Sequence, residues 1–301
     1  MIDNEAFPTY AQYSEDVILL ALLHGVKQGF YVDVGANFPI DDSVTKLFYE
    51  RGWRGINIEP IKSVYTLLEK DRPKDINLNL GVGSKVATLD FREYMTVPGH
   101  STFANLQKNS ERELEFTEYK VRVQTLRSIL SEQKVKEIDF LKVDVEGFEY
   151  EVIVGNDWQR FRPKVICIEA NHIYKDWRVI LADNNYKLFI SDGLNEYYIA
   201  YEAKDITNGF AERAVLYRDR AIKYRHLKAW KKDVRSLAKS QAQVKQLARE
   251  NEELKRQNIE ADKKNAELQQ LTLQNRPLRS RVKRAVYGLT VDWIKFKRQS
   301  N

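Results

Sequence analysis

Five short apolar runs punctuate the first 170 residues: Phe30–Val34, Arg54–Ile58, 76–80, Phe140–Val143 and 164–168. Each has the length of a strand, and 63–70 and 126–133, in the gaps between them, carry helical spacing of apolar positions. Alternation of this kind predicts a parallel sheet covered by helices. Residues 188–190 and 197–201 flank the turn-forming Asp192-Gly193-Leu194-Asn195 and predict a closing antiparallel pair. Between the first two runs, Asp41 or Asp42 is placed to cap a helix with Val44, Leu47 and Phe48 on one face. The polar, irregular stretch 95–119 reads as a loop and helix over a ligand site.

The pattern changes after residue 212. Residues 223–275 contain no Gly or Pro and are rich in Lys, Glu, Gln and Ala, which predicts one long helix. With Val244, Asn251, Asn258 and Asn265 at heptad position a, Leu247, Leu254, Ala261 and Leu268 fall at d, and Leu237 and Trp230 extend the a series backward. Asparagine at a with leucine at d favours a parallel two-stranded coiled coil, so the helix is expected to join two copies of the chain. The competing reading is a single polar helix. In 279–298, Val282, Ala285, Val286, Leu289, Trp293 and Phe296 share a face among seven Lys and Arg residues and one Asp. Such a basic amphipathic helix suits an anionic membrane surface, or an acidic partner such as a glycosyltransferase.

Charge follows the same division. The net charge of +6 hides a first part, 1–212, that carries −9 and a remainder, 213–301, that carries +15. That asymmetry argues against a nucleic-acid binder, whose domain would be basic throughout. The single cysteine, Cys167, sits inside an apolar run and reads as core. The first thirty residues hold no basic-then-apolar leader, and no apolar stretch reaches about eighteen residues, so a cytoplasmic location is expected, with contact to the inner face of the membrane made only at its surface.

The first run ends in Asp33-Val34-Gly35-Ala36-Asn37, and the second in Glu59-Pro60. A small-residue turn after one parallel strand, with a carboxylate after the next, is the layout of a nucleoside-cofactor site in which the acid accepts the ribose hydroxyls. A dinucleotide site would want Gly-x-Gly-x-x-Gly facing a pyrophosphate. Here Asn37 and Pro39 stand where further glycines belong, and Asp33 would repel phosphate but attract an ammonium. S-adenosylmethionine is the expected cofactor, with a nicotinamide-dependent oxidoreductase as the rival.

Several ordered segments carry a closer likeness: Tyr13-Ser14-Glu15-Asp16, the Asp33 to Asn37 turn, Phe48 through Pro60, Ser101-Thr102, Ile138 through Glu149 and Asp192-Gly193-Leu194-Asn195. In this order they resemble the FkbM family of S-adenosylmethionine-dependent methyltransferases, in a branch similar to those attached to polysaccharide and glycolipid biosynthesis. The resemblance implies a Rossmann-like seven-stranded class I methyltransferase sheet over 1–212 and O-methylation of a sugar hydroxyl on a glycan or glycolipid. It implies cofactor contacts at Asp33, Gly35, Asn37, Glu59, Pro60 and Asp144, and substrate contacts at Ser101, Thr102, Asp192 and Asn195.

Asp144 and Glu146 end the fourth parallel strand, where alternation puts both on one side. Paired there, they could supply a general base or hold a divalent cation, while Glu146 could instead cap the next helix. Glu169, Asn171 and His172 follow the fifth strand on the same edge and are candidates for substrate contact, with His172 a second candidate base. A methyltransferase-like scaffold without turnover, recruiting glycan-assembly enzymes, is the remaining alternative.

Overall fold

The computed structural model describes residues 5–274 apart from Val97, residues 104–114 and His172. In chain order the strands are β1 (Phe7–Thr9), β2 (Phe30–Val34), β3 (Arg54–Ile58), β4 (Ile76–Leu78), β5 (Gly81–Val82), β6 (Ala87–Tyr94), β7 (Thr102–Phe103), β8 (Phe116–Gln124), β9 (Phe140–Val143), β10 (Val165–Glu169), β11 (Tyr186–Ser191), β12 (Asn195–Ala200) and β13 (Ala221–Lys223). The helices are α1 (Glu15–Leu22), α2 (Lys46–Glu50), α3 (Lys62–Asp71), α4 (Leu126–Glu132), α5 (Glu149–Val154), α6 (Arg178–Asp183), α7 (Phe210–Arg220) and α8 (Tyr224–Gln274).

Seven strands form one sheet in the order β11-β12-β10-β9-β2-β3-β4. β10, β9, β2, β3 and β4 run parallel, and β12 closes antiparallel against β10 with β11 beside it. Both faces are covered, because successive residues point to opposite sides. Val32, Ile56, Leu141 and Ile166 belong to one apolar cluster with α4 and α5, and Tyr31, Phe140, Val165 and Tyr197 to another with α1 and α2. Strand order reverses about β2, flanked by β9 and β3, and that reversal opens a crevice at the strand carboxyl ends.

A buried polar row crosses this sheet: Cys167, Lys142, Asp33, Asn57 and Asn77 are successive register partners. Four of the five, all but the half-exposed Asn77, are buried. Charge at the centre of a sheet persists only when paired, and Lys142 faces Asp33 here.

Of the polar stretch 95–119, expected as a loop and helix, Val97 and residues 104–114 lie outside the described residues; the others hold a turn at Pro98–His100, then β7 and the start of β8. These belong to a second sheet, ordered β5-β8-β6-β7, whose long β6 and β8 pair antiparallel. The period-two pattern of Leu89, Phe91, Val121 and Val123, which pack with Ile61 and Phe103, is the signal for it. Helix α2 is entered differently from the expectation: Thr45, not Asp41 or Asp42, stands at its N-cap, and it makes no side-chain cap bond, since its hydroxyl is turned inward to donate to Asp33 at 2.8 Å.

The chain divides into two compact units, one through Ala229 and one from Trp230. The first reaches beyond residue 212 because α7 packs on α1, Arg213 donates to the Ala21 carbonyl at 2.7 Å, and β13 pairs in parallel with β1. The second is described through the continuous helix α8. Residues 275–301, including the basic segment 279–298, lie outside the described residues. Among the described residues no helix is long and apolar enough to cross a membrane.

Candidate functional site

A cleft opens at the carboxyl ends of β2, β3 and β9. The turn after β2 forms its floor. Gly35 has φ +76°, and a Cβ there would lie 1.8 Å from the Asp144 carbonyl oxygen, so glycine is required by the close passage of β9 rather than by a ligand alone. Asn37 follows with φ +51°.

Glu59 fixes this turn. It is 4% exposed, accepts the Asn37 N–H at 2.9 Å through one carboxylate oxygen, and accepts the Ile61 N–H at 2.8 Å through the other. Burial pushes its pKa up to about 7, against the opposing pull of those two N–H groups. Each oxygen keeps a lone pair, and Glu59 lines the cleft, so it can still accept hydroxyls from a ligand.

Lys142 lies beneath the turn. Its ammonium donates to the Gly35 carbonyl at 2.9 Å and stands 3.3 Å from Asp144 and 3.6 Å from Asp33. Burial works against its charge, but Asp144 and Asp33 outweigh it and the pKa is raised. Asp33 is therefore a correction: it is 1% exposed and faces Thr45 and Lys142, not the cleft, because the strand pleat turns it under the turn. Its influence on a ligand passes through Lys142 and the Gly35 backbone.

After β9 the chain makes a tight loop. Glu146 has φ +54° and Gly147 φ +101°, and the Tyr174 ring packs so close to Gly147 that a Cβ there would lie 2.5 Å from it. The loop is held from within α5: one Glu149 oxygen accepts the Val145 and Gly147 N–H groups at 3.1 and 3.0 Å. Glu149 thus ties the loop together from the first turn of α5, whose N-cap, Phe148, has no side-chain cap bond, and burial raises the Glu149 pKa to about 7. The Glu146 carboxylate gathers with Asp144 and Glu169, with oxygens of all three within 4.8 Å of one another. Glu169 is buried, and burial together with the charges of Asp144, Glu146 and Glu149 drives its pKa well above the ordinary carboxylate range. Its surroundings favour the protonated form, which can donate a hydrogen bond to a neighbour.

Thr102 donates to the Glu146 carbonyl at 3.0 Å and is 1% exposed, so it braces this loop instead of meeting substrate; Ser101 beside it does line the cleft. Asp192 and Asn195 are likewise spoken for. Asp192 accepts the Leu194 and Asn195 N–H groups and the Tyr197 hydroxyl, shaping the β11–β12 turn, and Asn195 is buried against Glu15. Asn171 is exposed and away from the cleft. His172 lies outside the described residues. Of the expected contacts, Gly35, Asn37, Glu59, Pro60, Ser101, Asp144 and Glu146 come together on the cleft wall. Sequence reading missed its apolar side: Ile61, Leu80, Phe91 and Phe103, contributed largely by the second sheet.

The charged side chains that line the cleft among the described residues are Glu59, Asp144 and Glu146, all acidic. An apolar wall for a base, a buried carboxylate for a ribose and an acidic floor with no lining cation fit a cationic nucleoside such as S-adenosylmethionine and disfavour a pyrophosphate. Fold and site together define a nucleoside-dependent α/β transferase.

Residues 33–188, just over half the chain, match the methyltransferase FkbM domain. The chain belongs to the FkbM methyltransferase family and is an S-adenosylmethionine-dependent methyltransferase. It is 28% identical over 192 residues to methyltransferase sdnD of Sordaria araneosa, covering 53% of this chain and 74% of that protein. Two solved structures are more loosely similar. A TehB-like SAM-dependent methyltransferase from Corynebacterium glutamicum has a TM-score of 0.33 at 10% identity, covering 62% of this chain and 85% of that one. Precorrin-6y C5,15-methyltransferase from Geobacter metallireducens has a TM-score of 0.32 at 12% identity, covering 65% and 93%. Likeness at that level does not bear on the site.

Proposed function

We propose that the chain methylates a hydroxyl oxygen of a sugar, in a bacterial surface glycan or a lipid-linked intermediate, using the main sheet as a class I methyltransferase does. The observation that carries this reading is the position of Asp144 and Glu146 on the cleft wall, with the buried Glu169 carboxyl gathered beside them. Bound S-adenosylmethionine supplies an electrophilic methyl group on a sulfonium centre. The protein's part is to hold the acceptor oxygen in line and to receive its proton.

In this scheme Glu59 accepts the ribose hydroxyls and the Gly35 to Asn37 backbone shapes the floor. Asp144, steadied by Lys142, takes the acceptor proton. Glu146 accepts a neighbouring hydroxyl, and Ser101 on the opposite wall offers a further polar contact. A polyol acceptor matches such a carboxylate-lined mouth, because each carboxylate can accept a hydroxyl hydrogen bond. In the alternative, Asp144, Glu146 and Glu169 would hold a divalent cation, which would supply Lewis-acid activation of the acceptor hydroxyl.

The test is product analysis. The full chain is incubated with S-adenosylmethionine and a panel of alkyl glycosides, nucleotide sugars and polyprenyl-linked sugars. An alkali-stable gain of one methylene on a sugar is expected, with Asp144→Asn at least tenfold slower at saturating cofactor. An alkali-labile methyl ester, or full activity of Asp144→Asn, would overturn the scheme. Loss of activity with chelator, restored by magnesium, would favour the cation-bridged version.

A further inference from the structure

Among the described residues, the long helix α8 leaves an apolar stripe exposed. Leu237, Val244, Leu247 and Leu254, all at positions a or d of one heptad frame, are 55–65% exposed. A helix of 51 residues with an apolar seam in water draws most of its stability from packing that seam, and in the described residues nothing covers it. We propose that the occupant is α8 of a second copy of this chain, lying parallel and in register in a two-stranded coiled coil.

Three features of the seam select that occupant over others. Asn251, Asn258 and Asn265 stand at three consecutive a positions. Only a parallel, in-register copy sets all three asparagines opposite their own counterparts, where amide can bond to amide; an antiparallel copy sets a against d, where leucine and alanine stand, and a parallel slip of one heptad sets one asparagine of each helix against a residue other than asparagine. Leucine at d in three of four successive heptads, Leu247, Leu254 and Leu268, favours two strands over three or four. Charge across the seam agrees as well. In the parallel arrangement Glu250 at g faces Lys255 at e of the other copy, twice by symmetry, and from 243 to 269 no g–e pair brings like charges together. Glu250 spends its intrachain hydrogen bond on Gln246 at 3.0 Å, a neutral group that leaves its charge available.

The consequence is that the residues following α8 in both copies emerge at one end, so that two copies of the basic segment 279–298 are presented together. The experiment is sedimentation equilibrium of the full chain, with two variants. Wild type is expected to be a dimer at micromolar concentration, and Leu247→Glu/Leu254→Glu to weaken dimerisation at least hundredfold with S-adenosylmethionine affinity unchanged. Leu268→Cys reports orientation in an otherwise unaltered chain. Mild oxidation should convert it to a disulfide-linked dimer, since the native Cys167 is buried. A monomeric or higher-order wild type, a dimer indifferent to the double substitution, or absence of the Leu268→Cys cross-link would each overturn the proposal.

Discussion

Glu59→Gln is the sharpest perturbation of the cofactor site, because it exchanges one carboxylate oxygen for an NH2 group and nearly preserves the volume of the side chain. The carboxylate satisfies two backbone donors at once, Asn37 N–H at 2.9 Å and Ile61 N–H at 2.8 Å. A glutamine has one acceptor oxygen, so one of these N–H groups must face an NH2 group and go unsatisfied in a position with almost no access to water. That costs the apo protein about 1–3 kcal/mol. Affinity suffers separately. At least one charge-assisted hydrogen bond to a ribose hydroxyl is lost, about 1.5–3 kcal/mol, or roughly 10- to 150-fold in Kd. Calorimetric titration with S-adenosylmethionine reads the second effect, and chemical denaturation of the apo protein reads the first. Affinity within twofold of wild type would refute the ribose contact, even in a destabilised protein, and tight binding of a nicotinamide cofactor by wild type would refute the site assignment.

Two more expectations follow from the buried charges. Lys142→Met removes the cation that faces Asp33 and Asp144, and Asp33 already has one oxygen without a hydrogen-bond partner; the loss should be about 3–5 kcal/mol, partly restored in Lys142→Met/Asp33→Asn, as urea unfolding will show. For pH, the folded pKa of Glu59 is raised from 4.5 to about 7, so the stability associated with this group is fully present below about pH 4.5 and is lost as pH rises through 7. Ribose hydroxyls donate to the ionised form, so S-adenosylmethionine affinity should rise with pH up to about 7 and level off above it. Glu149 titrates in the same range but does not line the cleft, so Glu59→Gln should flatten the affinity profile while leaving part of the stability profile.

Much of the fold was legible because burial writes itself into composition. β2, β9 and β10 are covered on both faces and read as mainly apolar runs, interrupted by Asp33 and Lys142 and ended by Glu169, and α8 announces itself by the lack of any helix breaker. The second sheet was less visible. β6 carries Asp90, Arg92 and Glu93 and β8 carries Glu118, Lys120 and Arg122, so their alternation is diluted by charges that pair across the exposed face, Arg92 with Glu118 and Lys120 with Asp90. Strand β13 was hidden for another reason. At three residues beside a long helix it has no periodicity of its own, and it exists because β1, far away in sequence, offers an edge.

The site divides along similar lines, and the division has a physical cause. Residue type and position after a strand locate a group near the crevice, but the pleat and the local turn decide whether it faces in. Asp33 and Glu59 each belong to the end of a parallel strand, yet Asp33 lies within the extended strand and points under the turn, while Glu59 lies one residue past β3 and reaches the cleft. Asp144 and Glu146 stand two apart, and an extended chain would put them on one side; the left-handed backbone at Glu146 breaks that extension, and it is Glu149 and Thr102, gripping the loop from either end, that return Glu146 to the company of Asp144. Polar residues that matter most to the shape of such a site are those with their hydrogen bonds already spent on backbone, and those bonds are invisible in a sequence. Thr102, Asp192 and Asn195 share motif segments with residues that line the cleft or sit beside it, and what separates scaffold from contact is whether an acceptor or donor is left over to face the ligand. Glu59 serves in both roles because a carboxylate has lone pairs to spare after two N–H groups are satisfied.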